Sequence, residues 1–219
     1  MSAVELLIKT KFLYMESKIT FDTIESIVNE AREGRAFIIV DDEDRENEGD
    51  IIIPAACITP ELINIMKNAG GLVCVAIDHK IHQKFDLKLH PRRNIEKSET
   101  AFTYSIDATS GIQTGISSKD RAHTIKKLSD PKSNSEHFKS PGHVFPVLAH
   151  KNGLKERQGH TEASIEIAKL ADLPGVMVMC EIINEDGTMA RGVDLHKFAK
   201  LNKMKISSVE LLCKHLLKK

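Results

Sequence analysis

The densest charge of the chain lies in residues 41–50. This segment reads Asp-Asp-Glu-Asp-Arg-Glu-Asn-Glu-Gly-Asp, so seven of its ten residues are carboxylates. Like charges on a short loop repel one another unless a positive group offsets them, and oxygen-rich loops are what a hard cation such as Mg²⁺ binds. A solvated charged loop is the alternative interpretation. Apolar residues on both sides, 36–40 and 51–53, predict strands that anchor the loop and therefore favour a site.

The second half of this acidic loop has a further regularity if its backbone is extended. Extended backbone would place Glu46, Glu48 and Asp50 on one side, because successive side chains of a strand alternate. Arg45 and Asn47 would then point to the other side. This pattern predicts a row of three carboxylates on one side of the loop.

A second unusual segment, residues 157–162, precedes a predicted helix and reads Arg-Gln-Gly-His-Thr-Glu. Its glycine permits close approach of a ligand to the backbone, and the helix N-terminus presents free N–H groups that suit a phosphate. Arg157 can add a bidentate contact to the same anion, and Thr161 can add a hydroxyl. His160 is either a metal ligand or a simple cap. For Glu162 we expect a role in complementing the helix dipole rather than in chemistry.

Three other segments combine reactive side chains with local constraint. Residues 113–121 combine hydroxyl and charged groups directly before a predicted helix. They form either a functional site or an ordinary helix cap with solvated charges. His143 follows a Ser-Pro-Gly turn, which suits a general acid or base but also a structural turn. Glu181 is the only charge in an apolar run. It is therefore either the outward residue of an edge strand or a buried carboxylate with a raised pKa, and the cost of burial favours a functional role.

The elements that must position these residues alternate between helix and strand. Periodicity predicts helices that begin at the cap Thr20 and end at Gly34, begin at Thr59-Pro60, cover 118–128, follow Gly159, cover 193–202, and follow a capping box at Ser207–Glu210. Strands are predicted to end at Val40, to begin at Ile51, and to cover 72–77, 102–106, 144–148 (at an edge because of Pro146), 176–183 and Ile206. Residues 78–99 and 129–142 are predicted to be irregular.

No glycine-rich phosphate loop follows any of these strands, so a dinucleotide-binding fold is not favoured. We predict an α+β fold, a layered α/β sandwich with a mixed sheet, that forms one domain over residues 1–219 with its core at about 20–210.

Composition excludes several functional classes. The 219 residues carry a formal net charge of zero, which gives no electrostatic case for a nucleic-acid or membrane partner. The four cysteines are widely spaced, and Cys74 and Cys180 lie in apolar runs typical of buried free thiols. Residues 3–14 are interrupted by charges, so no secretory signal and no transmembrane span are predicted. We expect a cytoplasmic protein.

Five segments together resemble the 3,4-dihydroxy-2-butanone 4-phosphate synthase family of riboflavin biosynthesis. They are Asp41–Asp50, Thr114–Arg121, Pro141–Pro146, Gly159–Glu162 and Asp186–Arg191. The resemblance implies a lyase that converts D-ribulose 5-phosphate into formate and L-3,4-dihydroxy-2-butanone 4-phosphate. It further implies a Mg²⁺ cofactor, with Mn²⁺ as an alternative, and a homodimer whose active sites draw residues from both subunits. Many members are fused to a GTP cyclohydrolase II domain, for which we expect no room in a chain that ends at Lys219.

The resemblance also assigns roles to individual positions. It implies metal ligation by Glu46 and His160 and essential roles in activity for His143 and Glu181; together with Asp50, the last two are the candidates for proton transfer. The residues implied to bind the substrate are Thr114, Arg45, Glu46, Asp50, Arg157, Gln158, Gly159, His160, Thr161 and Glu181.

Some positions depart from the family pattern. Leu148 stands where many members carry arginine, and Ile95 and Glu99 replace a usual threonine and glycine, whereas Gln158 occupies a variable position. These departures bear on local packing and on closure of the 94–99 loop. One alternative is therefore a binding or regulatory paralogue that keeps the fold and the dimer without turnover. A generic sugar-phosphate isomerase with the same metal is another.

Overall fold

The computed structural model, which describes residues 20–91 and 100–218, contains a mixed β-sheet between two layers of helices. Its strands are β1 (Phe37–Val40), β2 (Gly49–Pro54), β3 (Cys74–Ile77), β4 (Ala101–Phe102), β5 (Ile106–Ala108), β6 (Phe138–Leu148), β7 (Val176–Glu181) and β8 (Lys205–Ser208). The strand order is β4-β6-β3-β7-β2-β1-β8, and β5 also pairs with β6. The pairs β1–β8 and β3–β6 are parallel and the others antiparallel. The predicted layered fold is confirmed.

Helices cover both faces of this sheet. They are α1 (Ile24–Arg32), α2 (Pro60–Asn68), α3 (His79–Lys84), α4 (Ser118–Ser129), α5 (His160–Leu170), α6 (Val193–Leu201) and α7 (Val209–Leu216). Because strand side chains alternate between faces, Ile39 and Ile52 pack against α1, α5 and α7, whereas Ile38 and Ile53 pack against α2, α4 and α6. Each helix in the described part of the chain is too short or too polar to cross a membrane.

Two predicted helix caps are wrong by one turn or less. Helix α1 is capped by Thr23, whose hydroxyl accepts a hydrogen bond from the Ser26 N–H at 3.2 Å, and not by Thr20. Helix α7 is capped by Ser208, whereas Ser207 is a buried residue of β8. In both cases two hydroxyl residues lie near the helix start. The sequence alone does not show which of them occupies the N-cap position.

The predicted edge strand is also wrong. Strand β6 runs from residue 138, through part of a predicted loop, and lies inside the sheet between β3 and β4. Pro146 is tolerated there because the N–H and C=O groups of one strand residue point to the same side. The Pro146 carbonyl accepts a hydrogen bond from the Thr103 N–H at 3.0 Å, which lies on the β4 side of the strand. The Pro146 nitrogen, which has no hydrogen to donate, therefore faces the same side, where β4 contributes only two residues.

The described residues between β3 and α4 contain more regular structure than predicted. Residues 78–91 begin with α3, which is capped by Asp78 but has no buried residue, so apolar periodicity could not reveal it. The predicted strand over 102–106 is divided into β4 and β5, which pair with different parts of β6. Ile95 and Glu99 lie outside the described residues.

The corrected cap of α1 can be tested. Thr23→Ala should lower the free energy of unfolding by about 1 kcal/mol, because an orphan helix N–H loses its acceptor. Urea denaturation measures the change. Thr20→Ala is the matched control and should leave the midpoint unchanged, since Thr20 is exposed and lies outside the cap. A larger loss in Thr20→Ala than in Thr23→Ala would contradict the assignment.

Candidate active site

Two carboxylates that the sequence indicated as site residues, Asp50 and Glu181, lie side by side at one end of neighbouring strands. Asp50, the second residue of β2, pairs directly with Glu181, the last residue of β7. Leu72 lies beside Glu181, and its N–H donates to Glu181 Oε2 at 2.8 Å. The parallel register of β3 and β6 puts His143 next in the same row. With strands about 4.8 Å apart, the His143 backbone lies about 10 Å from that of Glu181 and about 15 Å from that of Asp50.

The carboxylates of this row face the layer that contains α5. Asp50 and Glu181 are each two residues from a core residue, Ile52 and Met179 respectively, that packs with α5, so their side chains leave the sheet on that face. Helix α5 begins at His160, whose Nδ1 lies 3.6 Å from Asp50 Oδ1. The sheet and the helix therefore bring a carboxylate from the acidic loop region and the imidazole together.

The acidic loop is not extended in its second half, contrary to the expectation from the sequence. Residues 43–46 form a turn, and Asn47 has a φ of 53°. Glu46 therefore lies exposed in the loop while Asp50 is buried within β2. Arg45 does not point away from Glu46, because its Nη1 donates to Glu46 Oε2 at 2.7 Å.

Asp41, Glu46 and His160 form a candidate metal centre. One ligand atom each from Asp41, Glu46 and His160 lies within 4.8 Å of the other two. Two carboxylates and an imidazole fit a divalent cation, and carboxylate oxygens are ligands that suit Mg²⁺ and Mn²⁺. The sequence had indicated Glu46 and His160 but not Asp41, which directly follows β1 and accepts hydrogen bonds from Arg45 and from the Glu48 N–H.

Arg191 is a site residue that sequence reasoning missed. Its side chain donates to the carbonyls of Asn47 at 3.1 Å and Glu46 at 3.0 Å and lies 3.6 Å from Glu48 Oε1. Burial, aided by Glu46, raises the pKa of Glu48, and Arg191 opposes that shift. Arg191 closes the segment 186–191 that resembles the family, which was the available signal. It holds the acidic loop by its backbone and offsets part of its charge.

Asp50 is the most perturbed carboxylate of the site. It is 3% exposed, and its Oδ1 has no hydrogen-bond partner among the described residues. Burial raises the pKa of Asp50 to about 7; His160 opposes this shift, and Glu181 adds to it. A carboxylate that titrates near neutrality and has a free oxygen can accept and return a proton at physiological pH.

The start of α5 is organised around a buried ion pair. Arg157 Nη1 donates to Glu162 Oε2 at 2.6 Å and Nη2 donates to Thr100 Oγ1 at 2.9 Å. Glu162 Oε1 accepts from the His150 N–H at 2.8 Å, and the Glu162 side chain is 1% exposed. The interpretation of Glu162 as a helix-dipole residue was therefore incomplete, since this carboxylate holds the guanidinium in place.

The remaining expected site residues fall into two groups. Gly159 caps α5 without a side-chain hydrogen bond, Thr161 is buried in its first turn, and Gln158 is exposed beside them. Thr114 lies instead near His143, because a Cβ on its neighbour Gly115 would meet His143 Nδ1 at 2.7 Å. One chain thus brings Glu46, Asp50, His160 and Glu181 together, with Thr114 and His143 in a separate group.

Leu148, where the family pattern has arginine, is buried at the end of β6 and pairs with Ala101 of β4. Its apolar side chain joins the core on the face that packs against α2, α4 and α6. The departure therefore changes local packing and not the carboxylate–imidazole cluster.

Comparison with known proteins places this geometry in context. A family model described as 3,4-dihydroxy-2-butanone 4-phosphate synthase matches residues 25–215. A protein of that name from Neisseria meningitidis serogroup B (strain ATCC BAA-335 / MC58) is 46% identical over 187 residues, which cover 85% of this chain and 52% of that protein. The riboflavin biosynthesis protein RibBA of Aquifex aeolicus (strain VF5) is 44% identical over 202 residues, which cover 91% of this chain and 50% of that protein.

A solved structure supports the same relationship. A 3,4-dihydroxy-2-butanone 4-phosphate synthase in complex with two magnesium ions superposes with a TM-score of 0.86 at 33% identity, covering 91% of this chain and 98% of that one. The chain spans only about half the length of the two curated relatives above.

The buried Asp50 has a measurable effect on stability. Its raised pKa means that the folded state disfavours the ionised form, so the contribution of Asp50 to stability is most favourable below the ordinary pKa of 3.8 and is lost as the pH rises to about 7. With a chelator present, Asp50→Asn should therefore unfold like the parent at pH 4 and be more stable by about 2–4 kcal/mol at pH 8. Chemical denaturation across this range measures the difference. A constant difference between the two proteins at all pH values would contradict it.

Proposed function

Since the chain belongs to the 3,4-dihydroxy-2-butanone 4-phosphate synthase family, we propose that it catalyses the Mg²⁺-dependent conversion of D-ribulose 5-phosphate into L-3,4-dihydroxy-2-butanone 4-phosphate and formate. This reaction belongs to riboflavin biosynthesis. The observation that carries the proposal is the meeting of Glu46, His160 and the proton-accepting Asp50 at one edge of the sheet.

The proposed binding site for the phosphate group of the substrate is the start of α5. The uncapped N–H groups after Gly159 attract an anion, and the Thr161 hydroxyl and the Arg157 guanidinium lie in the same segment. Glu162 and Thr100 hold Arg157 in a fixed orientation, which lowers the entropy lost when a phosphate binds. Arg45 and the exposed Gln158 and Thr114 are the further proposed contacts.

Glu46 and His160 would hold the divalent cation, with Asp41 beside them. When bound, the ion supplies Lewis-acid polarisation of the substrate carbonyl and hydroxyl oxygens, which acidifies the α protons and stabilises enediolate charge. The chain keeps this position rigid through Arg191, which bonds the backbone of the acidic loop.

The rearrangement requires several proton transfers, and the residues that we propose for them are Asp50, Glu181 and His143. Asp50 has an unbonded Oδ1 and a pKa raised by burial to about 7. Glu181 Oε2 accepts a hydrogen bond from the Leu72 N–H, and we propose that Oε1 takes part in proton transfer. His143 contributes a half-exposed imidazole.

We also propose that the active form is a homodimer with shared active sites. Within one chain the His143 backbone lies about 15 Å from that of Asp50 along the sheet, whereas Glu181 is adjacent to Asp50. A partner chain that supplies the imidazole would bridge this separation. The catalytic domain is proposed to cover about residues 20–210, and its location is proposed to be cytoplasmic.

The direct test is incubation of the protein with ribulose 5-phosphate and Mg²⁺, followed by measurement of formate. Formate together with a four-carbon phosphate is the expected result. A five-carbon product without formate would instead indicate a sugar-phosphate isomerase. Binding of ribulose 5-phosphate by folded protein without turnover would indicate a binding or regulatory paralogue.

Glu46→Gln should weaken Mg²⁺ binding about tenfold or more and abolish formate release while the fold persists, because it removes a charged ligand from an exposed loop. Titration calorimetry with Mg²⁺ gives the affinity. Glu43→Gln is the matched control, since Glu43 lies in the same loop but outside the cluster. Parental Mg²⁺ affinity in Glu46→Gln would remove this residue from the metal centre.

Arg157→Ala should raise the KM for ribulose 5-phosphate about tenfold or more, with a smaller effect on kcat, because a fixed phosphate contact is lost. Steady-state kinetics measures both constants. Arg32→Ala is the control, since Arg32 lies on α1 and bonds the Leu170 carbonyl away from the site. An unchanged KM in Arg157→Ala would exclude the proposed contact.

A further inference from the structure

The guanidinium of Arg45 lies against two carboxylates of the candidate metal centre. Arg45 Nη1 donates to Asp41 Oδ2 and also to Glu46 Oε2, the second at a distance of 2.7 Å. The ligand atoms of these two residues and of His160 all lie within 4.8 Å of one another. One nitrogen of the chain itself therefore bonds two of the three residues that would hold a divalent cation.

The surroundings of Asp41 leave one of its oxygens for a positive partner. Oδ1 accepts from the Glu48 backbone N–H at 2.8 Å, and this bond closes the loop between residues 41 and 48. The Asp41 side chain is 0% exposed, whereas that of Arg45 is 23% exposed. Because a buried carboxylate is costly without a partner, Oδ2 requires either the guanidinium or another cation.

The guanidinium and a divalent cation exclude each other from these oxygens. Mg²⁺ lies about 2.0–2.1 Å from its oxygen ligands, so a nitrogen that bonds the same oxygens would lie about 4 Å from the ion. At that separation a double and a single positive charge repel strongly even at an effective dielectric constant of about 20. Residues 42–44 and Glu46 are exposed, so the Arg45 side chain can turn into solvent while β1 and β2 stay in place.

We propose that Arg45 competes with the divalent cation for Asp41 and Glu46. Its guanidinium neutralises both carboxylates in the metal-free protein and leaves them when the ion binds. The affinity for Mg²⁺ is then lower than the three ligands alone would give, by the fraction of molecules in which Arg45 has left. This inference rests on the proposed metal centre and not on which reaction the protein catalyses.

The first experiment is calorimetric titration with Mg²⁺, without substrate, of the parental protein and of Arg45→Met. Methionine keeps an unbranched apolar stem and removes the guanidinium. We expect Mg²⁺ to bind Arg45→Met about tenfold more tightly than the parental protein, because the competitor is gone. An affinity equal to or weaker than the parental value would overturn the proposal.

The matched control is Arg191→Met, which removes the same charge from the same region. Arg191 bonds the backbone carbonyls of Glu46 and Asn47 and lies near the Glu48 carboxylate, which is outside the three-residue cluster. It should not tighten Mg²⁺ binding, since it frees no ligand atom. Equal tightening in both variants would assign the effect to net charge and would overturn the competition.

The second experiment follows Arg45 in the parental protein. In ¹⁵N-labelled protein the Arg45 side-chain signals are identified by their absence in Arg45→Met. Two charge-assisted hydrogen bonds should protect the Nη1 protons from exchange with water in the metal-free protein, and saturating Mg²⁺ should remove that protection. Protection that persists at saturating Mg²⁺ would overturn the proposal without reference to the affinity of any variant.

These outcomes are separate from those of the formate assay. Absence of formate from the parental protein would reject the proposed reaction, and the Mg²⁺ titrations would still decide the role of Arg45. Formate release together with parental Mg²⁺ affinity in Arg45→Met would keep the proposed reaction and reject the competition.

Discussion

The structure depends on holding several carboxylates beside one imidazole without letting their repulsion open the loop. At an effective dielectric constant of about 20, two like charges 5 Å apart cost about 3 kcal/mol. The isoleucine-rich β1–β2 pair fixes both ends of the loop, and Arg45 and Arg191 supply positive charge within it. A divalent cation would relieve the remaining repulsion, so the charge density that is costly in the loop alone favours cation binding.

Arg157 extends this organisation to a second part of the chain. Its guanidinium bonds Glu162 at the start of α5 and Thr100 directly before β4, residues that are distant in sequence. Ala101 in turn pairs with Leu148 at the end of β6. The start of α5, where we propose that the phosphate binds, is therefore connected to β4 and β6 by the Arg157 side chain and the β4–β6 backbone ladder.

Local patterns in the sequence predicted the elements that carry the site, but not the pairs formed between them. Strands β1 and β7 and helix α5 were predictable because apolar runs and flanking glycines mark them locally. The adjacency of Asp50 and Glu181, by contrast, follows from antiparallel pairing between strands about 130 residues apart, which no local pattern encodes. Arg191 was missed for the same reason, since it bonds Glu46 from 145 residues away along the chain. Helix α3 escaped because none of its residues is buried.

Strand β6 pairs with two short strands, with β4 near its C-terminal end and with β5 nearer its beginning. Long unpaired strands invite hydrogen bonding with other chains, and short or bulged neighbours discourage such addition. The irregular segment that carries Asp107 therefore covers the outer side of β6 and also holds His143, whose backbone N–H donates to Asp107 Oδ1 at 2.9 Å. A substitution that straightened this segment would therefore disturb the imidazole and also expose unpaired backbone groups of β6.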